Sequence, residues 1–207
     1  MLVYQKFGKR SIDLIFSFLG LLILWPFLLI ISLLIKIGSS GAAIFKQKRI
    51  GKNGQVFILY KFRTMVDNAE ELKEKYSRLN EADGPVFKIS SDPRFTKIGK
   101  LLSHTGLDEL AQLINIFKGE MSFIGPRPLP IKEEAKIDQK YRFKRQSVLP
   151  GLISSWLVNG GHKLSFKKWM ELDIKDIKKQ NFINESKTLG KTIKLIVYLI
   201  VKQVKGR

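Results

Sequence analysis

The 207-residue sequence contains no cysteine, which excludes disulfides, thiolate-bound zinc and a thiol nucleophile, and nothing in it requires an oxidising compartment. It is also poor in acid, with 18 Asp and Glu against 37 Lys and Arg and a net charge of +19. Such a surplus calls for an anionic partner, and nucleic acid, anionic lipid and nucleotide phosphates all satisfy it. No nucleic-acid reading motif accompanies the charge, so no nucleic acid is expected as partner. The chain is too short for two large soluble domains and suits one core with an appended membrane segment. Cytoplasmic exposure of the main body is permitted.

What is present is one long apolar run, Leu14 to Ile35, interrupted only by Ser17, Gly20, Pro26 and Ser32. It is long enough to span a bilayer. Lys6, Lys9 and Arg10 precede it, while Lys36, Lys46, Lys48, Arg49 and Lys52 follow, so the positive-inside rule gives no direction and both flanks look cytoplasmic. Pro26 lacks an amide hydrogen and crowds the carbonyl of Leu22, which predicts a break. Residues 1–38 then form a re-entrant helical hairpin that turns at Trp25-Pro26 and leaves by the face it entered. A straight spanning helix and a signal peptide are the alternatives, though the run is long for the latter.

Residues 39–207 read as a cytoplasmic domain of the α/β class, small and mixed. Ala42 to Lys48 and Gln55 to Phe62 are strand-like and joined by Gly51-Lys52-Asn53-Gly54, a β-hairpin signature. Lys46, Lys48, Arg49, Lys61 and Arg63 line it, either as a charged edge or as anion contacts. Asp67 to Arg78 reads as an exposed helix or lid, and Asn80 to Gly99 as loop with short extended pieces. Leu107, Leu110, Leu113, Ile114 and Phe117 share a helical face, with Thr105 and Asp108 spaced as a capping box. Asp108 and Glu109 are thus helix-start residues or a chemical pair. Gly125-Pro126-Arg127-Pro128 is a rigid turn that would fix one guanidinium, suited to bidentate phosphate contact. Tyr141 to Arg145 is basic and aromatic, and Phe166 to Ile177 is another short helix. Near the end, Ile193, Ile196, Val197, Ile200, Val201 and Val204 form an apolar face among Lys191, Lys194, Lys202 and Lys205, for an interfacial helix or one packed on the body.

KFRTM at Lys61 to Met65, DPRFTKIGKLL at Asp92 to Leu102, LDELAQLINIFKGEMSFIGPRP at Leu107 to Pro128 and PGL at Pro150 to Leu152 together resemble the bacterial sugar transferase family, the monotopic phosphoglycosyl transferases. The similarity runs in order from Lys6 to about Thr192, and the length is close to the minimal catalytic form. The resemblance implies a small α/β domain with amphipathic interfacial helices and a re-entrant membrane helix broken at proline. It implies that a sugar 1-phosphate passes from a UDP-sugar to polyprenyl phosphate with release of UMP, starting capsule, exopolysaccharide or other glycan assembly. Such enzymes work at the cytoplasmic face of the bacterial inner membrane.

By the same resemblance Asp108 and Glu109 are the catalytic pair. Asp108 is expected to form a covalent phosphosugar intermediate and Glu109 to hold Mg²⁺. Lys61, Arg63, Arg127 and Arg145 are expected to contact substrate phosphates, with anionic membrane lipids as a further partner and a homo-oligomer left open. The sequence departs from the family at several positions. Trp25 stands where Ser is usual, Ser103 where a basic residue is expected, and Ile153-Ser154 where Thr-Gly is. Leu157 replaces a common Gln, Gly161 an Arg, and Glu185 a common Asp. These differences point to an altered donor pocket or a weakened relative, and they motivate the alternative of a non-catalytic member that binds lipid or protein at the membrane surface.

Overall fold

The computed structural model describes Tyr4 and residues 8–204, with the side chains of 162, 200 and 202–204 left aside. Lys6 and Lys205 lie outside the described residues, as do the side chains of Ile200, Lys202 and Val204. The order is α1 (Lys9–Gly38), β1 (Ile44–Ile50), β2 (Val56–Phe62), α2 (Leu72–Lys75), α3 (Lys97–Thr105), a 3-10 segment (Leu107–Gln112), α4 (Leu113–Lys118) and β3 (Ser122–Ile124). It continues with α5 (Ile131–Glu134), α6 (Gln139–Arg145), β4 (Gly151–Ile153), α7 (Ser155–Val158), α8 (Phe166–Lys178) and α9 (Phe182–Val204). The expected mixed α/β class holds, with helix predominating.

The hairpin forms as its sequence directs. Strands β1 and β2 pair antiparallel from Ile44↔Phe62 to Ile50↔Val56. Asn53 takes a left-handed φ of 56° in the connecting turn, a conformation Asn tolerates better than most residues. Alternation along β2 puts Phe57, Leu59 and Lys61 on one face. Phe57 and Leu59 are buried with Leu113, Ile116 and Met121, so Lys61 continues an inward row.

Helix α1 runs as one element with Pro26 inside it, and its described residues do not make the hairpin expected at Trp25-Pro26. The loss of one backbone donor at Pro26 is offset because both halves of the helix have a surface to rest on. Leu21 and Leu24 pack against the Phe57–Met121 cluster. Beyond the proline, Leu28, Ile31 and Ile35 pack with Phe62, Leu102 and Ala111. The N-terminal end is tied down by Lys9 Nζ donating to the Ile124 carbonyl at 2.9 Å, and by Asp13 Oδ1 accepting from Phe123 N at 3.0 Å. Arg10 adds bonds to the carbonyls of Ile116 at 2.7 Å and Phe117 at 2.9 Å. At the other end Arg63 donates to the Ser39 carbonyl at 2.9 Å. Helix α1 therefore contacts one body along its whole length.

The opposite face of α1 is uncovered, with Phe16, Phe18, Leu22, Ile23, Trp25, Ile30 and Leu33 all exposed. Ile193, Ile196, Val197 and Val201 of α9 are exposed as well, so that apolar face is not packed on the body.

Two close approaches require glycine. A Cβ on Gly99 would lie 1.8 Å from the Thr64 carbonyl oxygen, where α3 crosses the exit of β2. One on Gly151 would lie 2.0 Å from Gly125 N, where β4 runs parallel to β3. The second contact fixes the approach to Pro126-Arg127.

Candidate active site

The Leu107–Lys118 segment is two helical pieces rather than the single helix its apolar spacing predicts, a 3-10 stretch followed by α4. The expected capping box is also absent. Thr105 closes α3 and turns its hydroxyl back to the Leu101 carbonyl at 2.8 Å, while Gly106 adopts a left-handed φ of 74°. Gly106 ends one helix and restarts the chain, which places Asp108 and Glu109 on the first turn of the next.

Asn115 locks that segment to the hairpin. Fully buried, it accepts from Tyr60 N at 3.0 Å and donates to the Ile58 carbonyl at 2.6 Å, so the strand leading to Lys61 is fixed relative to α4 at Ile58 and Tyr60. Lys61 Nζ then lies 2.7 Å from Asp108 Oδ2. Asp108 is only 2% exposed. Burial pushes its carboxyl above the usual aspartate value, with Lys61 pulling the other way and the neighbouring Glu109 adding to the rise.

Glu109 faces Arg127, whose Nη2 lies 2.7 Å from Oε1. Burial opposes its charge, yet Arg127 first and Lys61 second hold the carboxyl down to about 2. This pair is more open than the first: the Arg127 side chain keeps 33% of its exposure and the Glu109 side chain 20%. Two adjacent carboxylates in different electrostatic settings, each facing one cation, make up the chemical core of the site.

Of the four cations expected at substrate phosphates, the structure brings Lys61 and Arg127 to the acids and puts the other two elsewhere. Arg63 is buried and spends its guanidinium on the exit of α1, bonding the carbonyls of Ser39 and Ser40 and the Ser39 hydroxyl. Arg145 is equally closed off. It pairs with Asp173 and Glu134, both buried, and donates to the Arg127 carbonyl at 2.6 Å. It positions the residue that faces Glu109 and has no exposed donor to offer a phosphate.

Two further cations bear on this region: Arg49, one of the hairpin cations read from the sequence, and Lys88, which the sequence did not single out. Arg49 on β1 donates to the Pro128 carbonyl at 2.8 Å and fixes the far side of the Arg127 turn. Lys88, in the loop after Asn80, feels the charges of Arg127, Lys61 and Asp108. Only an isolated basic residue between two buried apolar positions, Val86 and Ile89, could have marked it.

The sequence matches the profile described as bacterial sugar transferase over residues 4–198. The chain belongs to the bacterial sugar transferase family. The chain is 36% identical over 192 residues to the galactosyl transferase CpsE of Streptococcus agalactiae serotype III, covering 92% of this chain and 42% of that protein. It is 35% identical over 190 residues to the exopolysaccharide production protein ExoY of Rhizobium meliloti, covering 90% of this chain and 84% of the relative. It is 33% identical over 204 residues to the undecaprenyl-phosphate galactose phosphotransferase of Salmonella typhimurium, covering 93% and 41%. The chain thus spans about two-fifths of two of these relatives and most of the third.

Proposed function

We propose that this chain transfers a sugar 1-phosphate from a UDP-sugar to polyprenyl phosphate, of the undecaprenyl type, with release of UMP, at the cytoplasmic face of the bacterial inner membrane. The product would start capsule, exopolysaccharide or other glycan assembly, in keeping with the names of its relatives. What carries the assignment is the juxtaposition of Asp108 with Lys61 and of Glu109 with Arg127.

In the proposed reaction an Asp108 oxygen attacks the β-phosphorus of the donor. The bond from that phosphorus to the bridging oxygen breaks, and UMP leaves with the electron pair. An oxygen of polyprenyl phosphate then attacks the same phosphorus, the bond to Asp108 breaks, and the carboxylate is restored. Splitting one displacement in two predicts ping-pong kinetics. Lys61 must exchange Asp108 for a phosphate oxygen as the donor arrives, freeing the nucleophile while keeping the ammonium paired. Arg127, a third exposed, is able to make the corresponding exchange from Glu109.

Among the described residues there is no cluster of three or more His, Cys, Asp or Glu. A pair of adjacent carboxylates suits Mg²⁺, which takes one or two carboxylates and fills its remaining positions with substrate phosphate oxygens and water. Glu109 would hold it, with Arg127 shifting toward phosphate. Bound there, the ion would neutralise charge on the diphosphate.

The proposed division is a membrane segment over 1–38 and a catalytic domain over 39–207. Helix α1 is long and apolar enough to cross a membrane, but both its ends hold the same body. That supports a helix seated at one face of the membrane rather than crossing it, with α9 and the basic surface resting on anionic headgroups. Because the chain has no cysteine, Ser11→Cys and Ser40→Cys can each be labelled alone. Both should react with an impermeant maleimide only after inside-out vesicles are presented. Labelling of one of them from the periplasmic side would establish a crossing.

The decisive assay is UMP release by purified protein given polyprenyl phosphate, Mg²⁺ and a broad panel of UDP-sugars. Turnover with at least one donor is expected. Absence of release across the panel would overturn the assignment, and tight donor binding without turnover would identify a non-catalytic binder of the same fold.

A further inference from the structure

A cavity of about 320 Å³ lies between the Gly125-Pro126 turn, α7, the end of α8 and the first half of α9. It borders the active site through that turn, but Lys61, Asp108, Glu109 and Arg127 do not line it. Ser154 forms part of its wall. Only 5% exposed, Ser154 precedes α7 without capping it, and its hydroxyl has no hydrogen-bond partner among the described residues. A serine in this position ordinarily spends its oxygen on an amide of the first helical turn. A buried hydroxyl left unsatisfied costs free energy that a ligand oxygen would recover.

The charge lining the cavity is mostly of one sign. Four exposed lysines do so in two pairs, Lys175 and Lys179 at the end of α8, and Lys187 and Lys191 one turn apart on α9. None of the four makes an ion pair among the described residues. The two acids on the same walls are already engaged. Asp176 accepts from the Ser155 hydroxyl and feels the charge of Lys175, while Glu185 is held by Lys9 at 2.7 Å and by the Tyr4 hydroxyl at 2.7 Å. The balance left is cationic, and together with the Ser154 hydroxyl it suits an oxyanion.

Position in the fold narrows which oxyanion. Glu185 ties the cavity to Lys9 at the start of α1, the helix whose outer face is apolar and exposed. On α9, exposed Phe182 and Ile183 precede the cavity residues, and exposed Ile193 and Val197 follow them. Apolar side chains on both sides of a lysine-lined cavity mark headgroup depth, where a lipid phosphate can enter while its chains lie along α1 and α9. The volume is at the small end of ligand cavities, roughly 300 to 1,000 Å³, and suits a headgroup better than a whole nucleotide sugar.

We propose that this cavity binds the phosphate headgroup of a membrane lipid, at a site separate from the acid pair, through the Ser154 hydroxyl and the ammonium groups of Lys175, Lys179, Lys187 and Lys191. The assignment rests on the membrane placement of α1 and α9 proposed above, and not on the reaction. Polyprenyl phosphate and anionic phospholipid offer the same phosphate chemistry, and the test separates them.

Because the native chain has no cysteine, the thiol of Thr188→Cys on the cavity wall reports occupancy through its rate of reaction with a soluble maleimide. Purified protein in non-ionic detergent is titrated with dioctanoyl phosphatidylglycerol, dioctanoyl phosphatidylcholine, farnesyl phosphate, inorganic phosphate and UDP. Saturable protection is expected with phosphatidylglycerol, farnesyl phosphate or both, and the one that saturates at the lower concentration identifies the occupant. In the Thr188→Cys background, Lys187→Gln with Lys191→Gln should raise the half-protecting concentration roughly 10- to 100-fold, the range for one or two charge-assisted hydrogen bonds. Lys167→Gln with Lys168→Gln removes the same charge from exposed positions of α8 outside the cavity, and should leave that concentration within twofold. Protection by neither anionic lipid, equal protection by phosphatidylcholine or inorganic phosphate, or an equal effect of the two lysine pairs would each overturn the proposal. Equal protection by UDP would overturn it as well, by making the cavity part of the donor site. The readout needs no turnover, so failure of the UMP-release assay and failure of this site are told apart.

Discussion

Arg127 and Arg145 touch, the second donating to the backbone carbonyl of the first, yet their surroundings differ sharply. The Arg127 side chain keeps 33% of its exposure and faces one carboxylate; the Arg145 side chain keeps 3% and is enclosed by Asp173 and Glu134. An open pair can trade its partner for a phosphate at modest cost. A closed one cannot, because any exchange would leave a charge buried and uncompensated. The comparison shows how two arginines in contact divide between one open to exchange and one closed off as a brace for the first.

The sharpest way to test this division is to remove one acid from each side of it. Asp108→Asn should lower UMP release by about 1000-fold or more, equivalent to about 4 kcal/mol of barrier, with far-UV circular dichroism and thermal midpoint retained. Unchanged turnover would remove Asp108 as nucleophile. Asp173→Asn should do the reverse, destabilising the fold by about 3 kcal/mol because Arg145 loses a buried partner, while the donor KM of the folded fraction stays near wild type. A selective rise in donor KM in that variant would restore Arg145 to the phosphate-binding set.

A smaller effect distinguishes the open pair by pH. Glu109 is held at about 2 in the folded protein, below its ordinary value, so its contribution to stability is complete above the unfolded pKa and fades as pH falls toward the folded one. Arg127→Met removes the main cause of that depression. In metal-free protein the gap in thermal midpoint between wild type and Arg127→Met should therefore be widest at pH 6 and narrow through pH 4 to pH 3. A gap independent of pH would mean that Arg127 acts on stability through packing alone.

Much of the body was legible in the chain. The hairpin followed from two strand-like runs around a Gly-Lys-Asn-Gly turn, and the helix over Phe166–Lys178 from its spacing. Helix α1 was legible as an apolar run but not in its course. Its local proline argued for a reversal, and packing of Leu21, Leu24, Leu28 and Ile31 on the body kept it in one piece. The capping box failed for a comparable reason, because Thr105 had a nearer acceptor in the preceding turn.

The site was legible as motifs but not as geometry. Nothing local separates Lys61 from Arg63, two residues apart in one motif. The alternation of β2 aims the first inward toward Asp108, while the second lies beyond the strand end against Ser39 and Ser40.

By itself the sequence determined the charge surplus, the apolar helix, the hairpin, the family and the presence of an adjacent acid pair, since each depends on composition, short-range periodicity or an ordered set of motifs. Only the tertiary structure decided which cations face those acids and which brace the fold. An arginine buried between two carboxylates and an arginine open to solvent are the same residue on the page, and long-range packing alone sets whether its charge is free to meet a substrate.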